Sequence, residues 1–353
     1  MKNYLYLILI ILSFFSCTKE DLVVEKRNYK MGFTTFPYDF SMEAVNSTYL
    51  FIEQNADIYS EQIDNKIPWE SLLNQTDFPT EFVENIDGKI SRKINSHQLL
   101  LSVSLLNDFR NDLKEGYNEQ IPIYNSLTDE HIENAYFRYL EYLVDRFSPD
   151  YLVMAMEVNE LKRSNPSKWN EYKLLSDKLR VRLKSKYPTL KLTESFTLHT
   201  WYQQSTDFIN DVRTQSEKSD FLAISFYAFV MQKHTKAEFQ GAFDFLHTQT
   251  SKSIAFVETN ALAQDLYIPN LNNLFIPSSE VEQNVYLETL LENAQTNNYE
   301  FVIWWAHRDY DKLLAYFPKE SQDLGSIWRD TGLLDETGKE RPAFSTWRKY
   351  FEM

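Results

Sequence analysis

The chain has 353 residues, with 36 Lys and Arg against 51 Asp and Glu, and a net charge of −15. So acidic a surface repels phosphate backbones and anionic lipid, which argues against a nucleic-acid partner and leaves neutral or cationic ligands open. Seven scattered glycines cannot assemble a phosphate-cradling loop or a nucleophile elbow, and no two of the six histidines have metal-ligand spacing, so neither metal nor organic cofactor is expected.

The chain begins "MKNYLYLILIILSFFSC", with Lys2, an apolar run from Tyr4 to Phe15, and then Ser16-Cys17. That run is short for a spanning helix and reads as an export signal over residues 1–16. Cys17 is the only cysteine, so no internal disulfide can form. The ending resembles the lipobox of bacterial lipoproteins, although Phe14 stands where Leu is usual. The resemblance implies lipid attachment at Cys17, with residues 17–28 as a polar tether. It places the protein at a bacterial outer membrane, facing either the surface or the periplasm. The alternative is a plain signal peptide with an incidental cysteine.

From residue 29 onward, eight short apolar runs read as strands: "YKMGFTTF", "ADIYSEQ", "LLLSVSLL", "YLVMAMEV", "LKLTESF", "FLAISFY", "SIAFVET" and "FVIWWAH". Amphipathic stretches separate them. In "DEHIENAYFRYLEYLVDRFSP" the residues Ile132, Ala135, Tyr139, Leu143 and Phe147 recur at three and four. In "NPSKWNEYKLLSDKLRVRLKSKYP" the stripe is Trp169, Tyr172, Leu175, Leu179 and Leu183. Similar helices fit residues 41–55, 80–95, 203–218, 237–250, 280–297 and 342–352. Strand-helix alternation demands a parallel sheet with helices outside, so the prediction is an α/β protein, a (β/α)8 TIM barrel. No linker divides residues 29–353, which read as one domain, expected as a monomer. An open doubly wound sheet is the alternative, but its glycine-rich first turn is missing from "GFTTFPYDF".

In such a barrel the residues closing each strand converge on one face. Strand four closes with Asn159 and Glu160, strand six with Phe226 and Tyr227, strand seven with Glu258, and strand eight with Trp304, Trp305 and His307. Further candidates are Tyr38, Asp39, Asp64, Pro68, Trp69, Asn107, Arg110, His199 and Trp201 in the loops after strands one, two, three and five. Two facing carboxyl groups are what glycoside hydrolysis requires, one to donate a proton and one to attack. The aromatic content of 15% suits either a ring-rich core or a cleft on which sugars stack.

An Asn-Glu pair ending strand four, a Glu ending strand seven, a Tyr ending strand six and a Trp on strand eight resemble the clan A glycoside hydrolases. Within that clan "SDFLAISFYAF" looks most like the endo-β-1,4-galactanase family. The resemblance implies that Glu160 is the acid/base and Glu258 the nucleophile. It also implies that Asn159 holds the sugar 2-hydroxyl, Tyr227 holds the nucleophile, and Trp304 or Trp305 forms a platform; His199 and Trp69 are expected as further sugar contacts from their places after strands five and two. An apolar setting is expected to raise the Glu160 pKa. Asn-Glu occurs also at 118–119 and 170–171, but only 159–160 closes an apolar run.

Strict alternation complicates strand four. It sets Glu157 opposite Glu160 and on the face of Asn159, so either a bend near Val158 turns the end residues inward or Glu157 is the rival acid. Trp304 and Trp305 also alternate, so at most one of them faces the cleft easily while the other packs under the helices. The expected function is a lipid-anchored, retaining glycoside hydrolase acting on polysaccharide. The alternatives are a non-catalytic carbohydrate-binding lipoprotein on the same barrel, and a structural or adhesion lipoprotein, which predicts no aromatics at the strand ends.

Overall fold

The computed structural model describes residues 26–353; Cys17, the signal segment and most of the tether lie outside them. Eight strand positions follow one another as the alternation predicts. They are β1 (Lys30–Thr34), β2 (Ile58–Ile63), β3 (Gln98–Val103), β4 (Tyr151–Val153), β5a (Lys191–Thr193) with β5b (Ser195–Thr197), β6 (Leu222–Tyr227), β7 (Ile254–Asn260) and β8 (Phe301–Trp304). Every neighbouring pair is parallel and β1 lies between β8 and β2. β5a pairs with β4 and β5b with β6, so the ring closes across Glu194, the residue that divides strand five.

Eight helices wrap the ring: α1 (Met42–Asn55), α2 (Thr80–Ile90), α3 (Glu130–Phe147), α4 (Pro166–Lys186), α5 (Thr206–Ser216), α6 (Lys236–His247), α7 (Glu280–Thr296) and α8 (Pro342–Phe351). Their buried faces are the stripes read from sequence. In α4, Trp169, Tyr172, Leu175, Leu179 and Leu183 all turn inward. Local chemistry fixes the ends. Asn165 caps α4 with Pro166 in its first turn, and α3 stops at Ser148, whose left-handed backbone (φ 45°) sends its N–H to the Val144 carbonyl.

Alternation fills the barrel in layers. At the base, Tyr151, Phe221 and Phe301 meet edge to face with ring centres 4.9–5.8 Å apart. Ile58, Leu100, Val153, Ala223, Ala255 and Ile303 belong to the same interior cluster. Two residues further along the strands, Thr34, Ser60, Ser102 and Ser225 form a buried layer of small hydroxyls. Above it, Gln62, Tyr227, Glu258 and Trp305 reach the mouth. Among the described residues no helix is long and apolar enough to cross a membrane.

β1 runs so close to β2 that one position admits no side chain. A Cβ on Gly32 would lie 2.0 Å from the Ile58 carbonyl oxygen and 2.9 Å from Ile303 Cδ1. Backbone cannot yield there without opening the ring. Gly32→Ala is therefore expected to cost about 3 kcal/mol or more, read as a fall in the urea midpoint.

Candidate active site

Two local irregularities build the mouth. On β7, Phe256 pairs with Ile224 of β6 but Glu258 pairs with Ser225, so Val257 is an extra residue. This bulge lets Val257 join the barrel interior while its neighbour Glu258 also faces the cleft. On strand four the regular ladder ends at Val153. Met154 donates to the Thr193 carbonyl at 2.9 Å, Ser195 to the Ala155 carbonyl at 3.1 Å and Met156 to the Val103 carbonyl at 3.1 Å. Glu157 then adopts a left-handed conformation, φ 54°, with its N–H on Ser195 Oγ at 2.8 Å. A non-glycine residue held there is strained, and such strain collects at functional sites. The turn aims the Glu157 carboxylate into the mouth and starts a short helix, Asn159–Ser164, directly behind it.

The cleft has two lobes. The first, about 530 Å³, is lined by Gln62, Met156, Glu157, Glu258 and Trp305 among others. The second, about 610 Å³, is lined by Glu160, Arg163, Thr197, His199 and Thr200 with an apolar side of Val230, Met231 and Ile327. Asp108, Arg110, Glu157, Tyr227 and Trp328 border both.

Glu258 sits deep in the first lobe. The Tyr227 hydroxyl donates to Oε1 and the Gln62 amide to Oε2. Burial, then the Glu157 charge, pushes its pKa up to about 8 against the opposing Gln62 bond and the Arg110 charge. Glu157 itself receives two bonds on Oε2 from Arg110, Nε at 3.1 Å and Nη2 at 2.9 Å. The same guanidinium is held by its own loop, donating to the Leu106 and Asn107 carbonyls at 3.3 and 3.2 Å.

Glu160 is placed differently from expectation. Burial works to raise its pKa, but hydrogen bonds from Thr197, Thr200 and Arg163 outweigh it and the net shift is downward. Thr197 Oγ1 lies 2.6 Å from Oε1 and Arg163 Nε 2.9 Å from Oε2, with Thr200 the third donor. The expected apolar, proton-retaining setting is thus corrected: this carboxylate is kept ionised by its donors. Asn159 does not reach the cleft either. It is fully buried, and its amide accepts from the Thr197 N–H at 2.8 Å and donates to the Thr197 carbonyl at 2.9 Å. That side chain pins the short helix to β5b and has no surface left for a sugar.

Of the two tryptophans on strand eight, Trp305 borders the first lobe and packs on Phe36, ring centres 4.8 Å apart, whereas Trp304 is buried beside α7 with its indole N–H on the Thr331 carbonyl at 3.0 Å. Trp69 is also core, packed 6.2 Å from Tyr136 with its N–H on the Lys114 carbonyl at 2.7 Å. His199 lines the second lobe, Nε2 3.7 Å from Glu160 Oε1. Gln62, Met156 and Trp328 were not among the residues read from sequence. Gln62 was legible, two positions beyond Ser60 and four beyond Ile58 on the inward face of β2; Trp328 comes from the long segment after β8 and carries no strand-end signal.

Among the described residues one carboxylate group, Asp309, Asp311 and Glu336, gathers within 4.8 Å. None of the three lines either lobe, and Asp309 is already bound by Arg341 at 2.8 and 2.6 Å.

No family model and no curated protein matches the chain. Solved structures do. A GH5_18 protein from Bifidobacterium longum subsp. longum, in complex with Manb1-4GlcNAc, is 16% identical with a TM-score of 0.65 over 92% of this chain and 78% of that one. The GH53 catalytic domain of Ignisphaera aggregans is 14% identical, TM-score 0.60, over 92% and 96%. Xylanase 10B from Thermotoga maritima is 11% identical, TM-score 0.59, over 92% and 95%. The fold is that of the glycoside hydrolase TIM barrels. At these identities the likeness is one of architecture.

The raised Glu258 pKa has a consequence for stability. Its folded value, about 8, lies above the ordinary 4.5, so the native state holds a proton that the unfolded chain has released between those values. Stability from this group is full below pH 4.5 and is lost as pH rises through about 8. Glu258→Gln is expected to melt several degrees above the parent protein at pH 9, with the difference vanishing near pH 4, in thermal scans across that range.

Proposed function

We propose that this protein is a retaining glycoside hydrolase whose reacting pair is Glu157 and Glu258. The observation that carries this reading is their placement: two carboxylates from separate strands border one lobe, and the Glu157 charge acts on Glu258. The coupled pair carries one proton, and in the reactive form it resides on Glu157: ionised Glu258 attacks the anomeric carbon while Glu157 gives that proton to the leaving oxygen, which breaks the glycosidic bond and forms a glycosyl-enzyme. Water then releases the sugar, with Glu157 taking back the proton. Tyr227 and Gln62 each donate to one Glu258 oxygen and hold it for attack. Arg110 orients Glu157 through two hydrogen bonds to one oxygen.

Glu157 is preferred to Glu160 by position: Glu157 borders the lobe that holds Glu258, whereas Glu160 borders only the second lobe. The surrounding charge favours neutral sugars. Asp64, Asp108, Glu157, Glu160 and Glu258 outnumber Lys89, Arg110 and Arg163 around the two lobes, so uronates are disfavoured. Trp305 and Trp328 offer ring faces on which a pyranose stacks. Neighbouring folds include proteins named as a xylanase and an exo-beta-1,4-mannosidase, which supports an oligo- or polysaccharide substrate. On the reading of residues 1–28, the enzyme is anchored through Cys17 at the outer membrane; Cys17→Ala is expected to move it to the soluble fraction.

A screen on galactan, mannan, xylan and β-glucan, with the product anomer followed by NMR, tests the reaction and its stereochemistry. Binding by the wild type without release of reducing ends favours the non-catalytic alternative. The pair must keep one proton to work, so kcat/KM is expected to fall above about pH 8 as the last one leaves. Glu157→Gln is expected to lower kcat/KM on the natural substrate by 10²-fold or more, roughly the range of general acid catalysis. It should lower it far less on a 2,4-dinitrophenyl glycoside, whose leaving group needs no proton. Equal losses on both substrates would refute Glu157 as the acid.

A further inference from the structure

We infer that the second lobe is the leaving-group site, and that Glu160, Arg163 and His199 recognise there a neutral pyranose unit. The assignment rests on the reading of Glu157 and Glu258 as the reacting pair. Glu258 borders the first lobe alone, whereas Glu157 stands on the border of both. A nucleophile touches only the sugar it attacks, while the acid meets the oxygen that joins that sugar to the departing group. The attacked sugar therefore occupies the first lobe, and what leaves crosses Glu157 into the second.

The second lobe is built for a small polyol with one apolar face. Glu160 is fixed, with Oε1 taken by two threonine hydroxyls and Oε2 by Arg163, yet it borders the cavity as an ionised acceptor. Arg163 lies one helical turn away with 60% of its side chain exposed, and it spends only Nε on Glu160. Its remaining N–H groups are donors for sugar hydroxyls. His199 stands beside them, Nε2 3.7 Å from Glu160 Oε1, and its Nδ1 has no protein partner. Met231, Ile327 and Trp328 line the same lobe and supply apolar surface for the hydrophobic face of a ring. Acceptor, donor and flat apolar wall together match a pyranose and carry no net charge that would call for an ionic ligand. The short helix carrying Glu160 and Arg163 is locked to β5b by the buried Asn159 amide, so the recognising groups are held rigidly relative to Glu157.

The test compares substrates that do and do not fill this lobe. β-Glycosyl fluorides of mannose, galactose, glucose and xylose leave it empty; the matching β-1,4-linked disaccharides fill it. In Arg163→Ala, His199→Ala and Glu160→Gln, the fall in kcat/KM on the disaccharide is expected to exceed the fall on the fluoride by at least tenfold. Arg163 is largely exposed, so its variant should fold, which thermal melting verifies. Equal falls on both substrates, or no fall on the disaccharide, would overturn the assignment while leaving the hydrolase reading intact. A wild-type protein that turns over neither substrate overturns both.

Discussion

Two carboxylates held side by side in a buried mouth repel each other, and the architecture around them answers that repulsion. Glu258 lies deep enough for burial to favour its neutral form, and the Glu157 charge adds to the effect. Three groups from three different strand positions oppose it: Gln62 from β2, Tyr227 from β6, and Arg110 from the loop after β3. No single element can supply such a set. Only a ring of parallel strands with all carboxyl ends on one side brings donors from so many directions onto two acids. Closure of the ring, through the divided strand five and the bare Gly32, is in this sense a condition of the site.

Burial alone does not single out these residues. Glu61 and Glu194 are at least as buried as Glu157 and Glu258, yet their neighbours are of a different kind. Glu61 accepts from Thr35 at 2.9 Å, Lys89 at 2.8 Å and Tyr49. Glu194 accepts from Tyr172 at 2.8 Å, Gln215 at 3.1 Å and Ser176. Each is surrounded by donors and serves as a fastener between strand and helix. Glu258, with two donors and another carboxylate beside it, is satisfied as an acceptor but frustrated as a charge. That frustration is the more discriminating sign of chemistry.

The barrel was readable because it is written in long periods. Eight apolar runs, with stripes such as Trp169, Tyr172, Leu175, Leu179 and Leu183 between them, repeat over enough residues for packing to dominate any local accident. The mouth is written in single residues. Alternation counted from β4 misplaces its end because Glu157 turns left-handed, and alternation along β7 fails at the Val257 bulge. Neither event has a glycine or proline to announce it. Trp304 and Trp305 obey alternation: Trp304 is buried and Trp305 borders the first lobe. Trp69, expected as a sugar contact, was misjudged, since its inward turn depends on the Lys114 carbonyl, 45 positions away.

The Asn159-Glu160 pair shows why a dipeptide is weak evidence even at the end of a strand. The resemblance places an amide and a carboxylate at this point for contact with sugar, and the chain supplies both. Here one residue of left-handed backbone comes first, so the pair falls on the opening turn of a helix instead of the rim of the first lobe. There the amide does what a buried amide must, saturating itself on the nearest backbone groups, both from Thr197. The carboxylate, three donors around it, becomes a fixed acceptor. The same two letters thus leave the rim of the first lobe without any change in composition. What moves them is the conformation of Glu157, and that residue takes the place in the cleft that the pair does not fill.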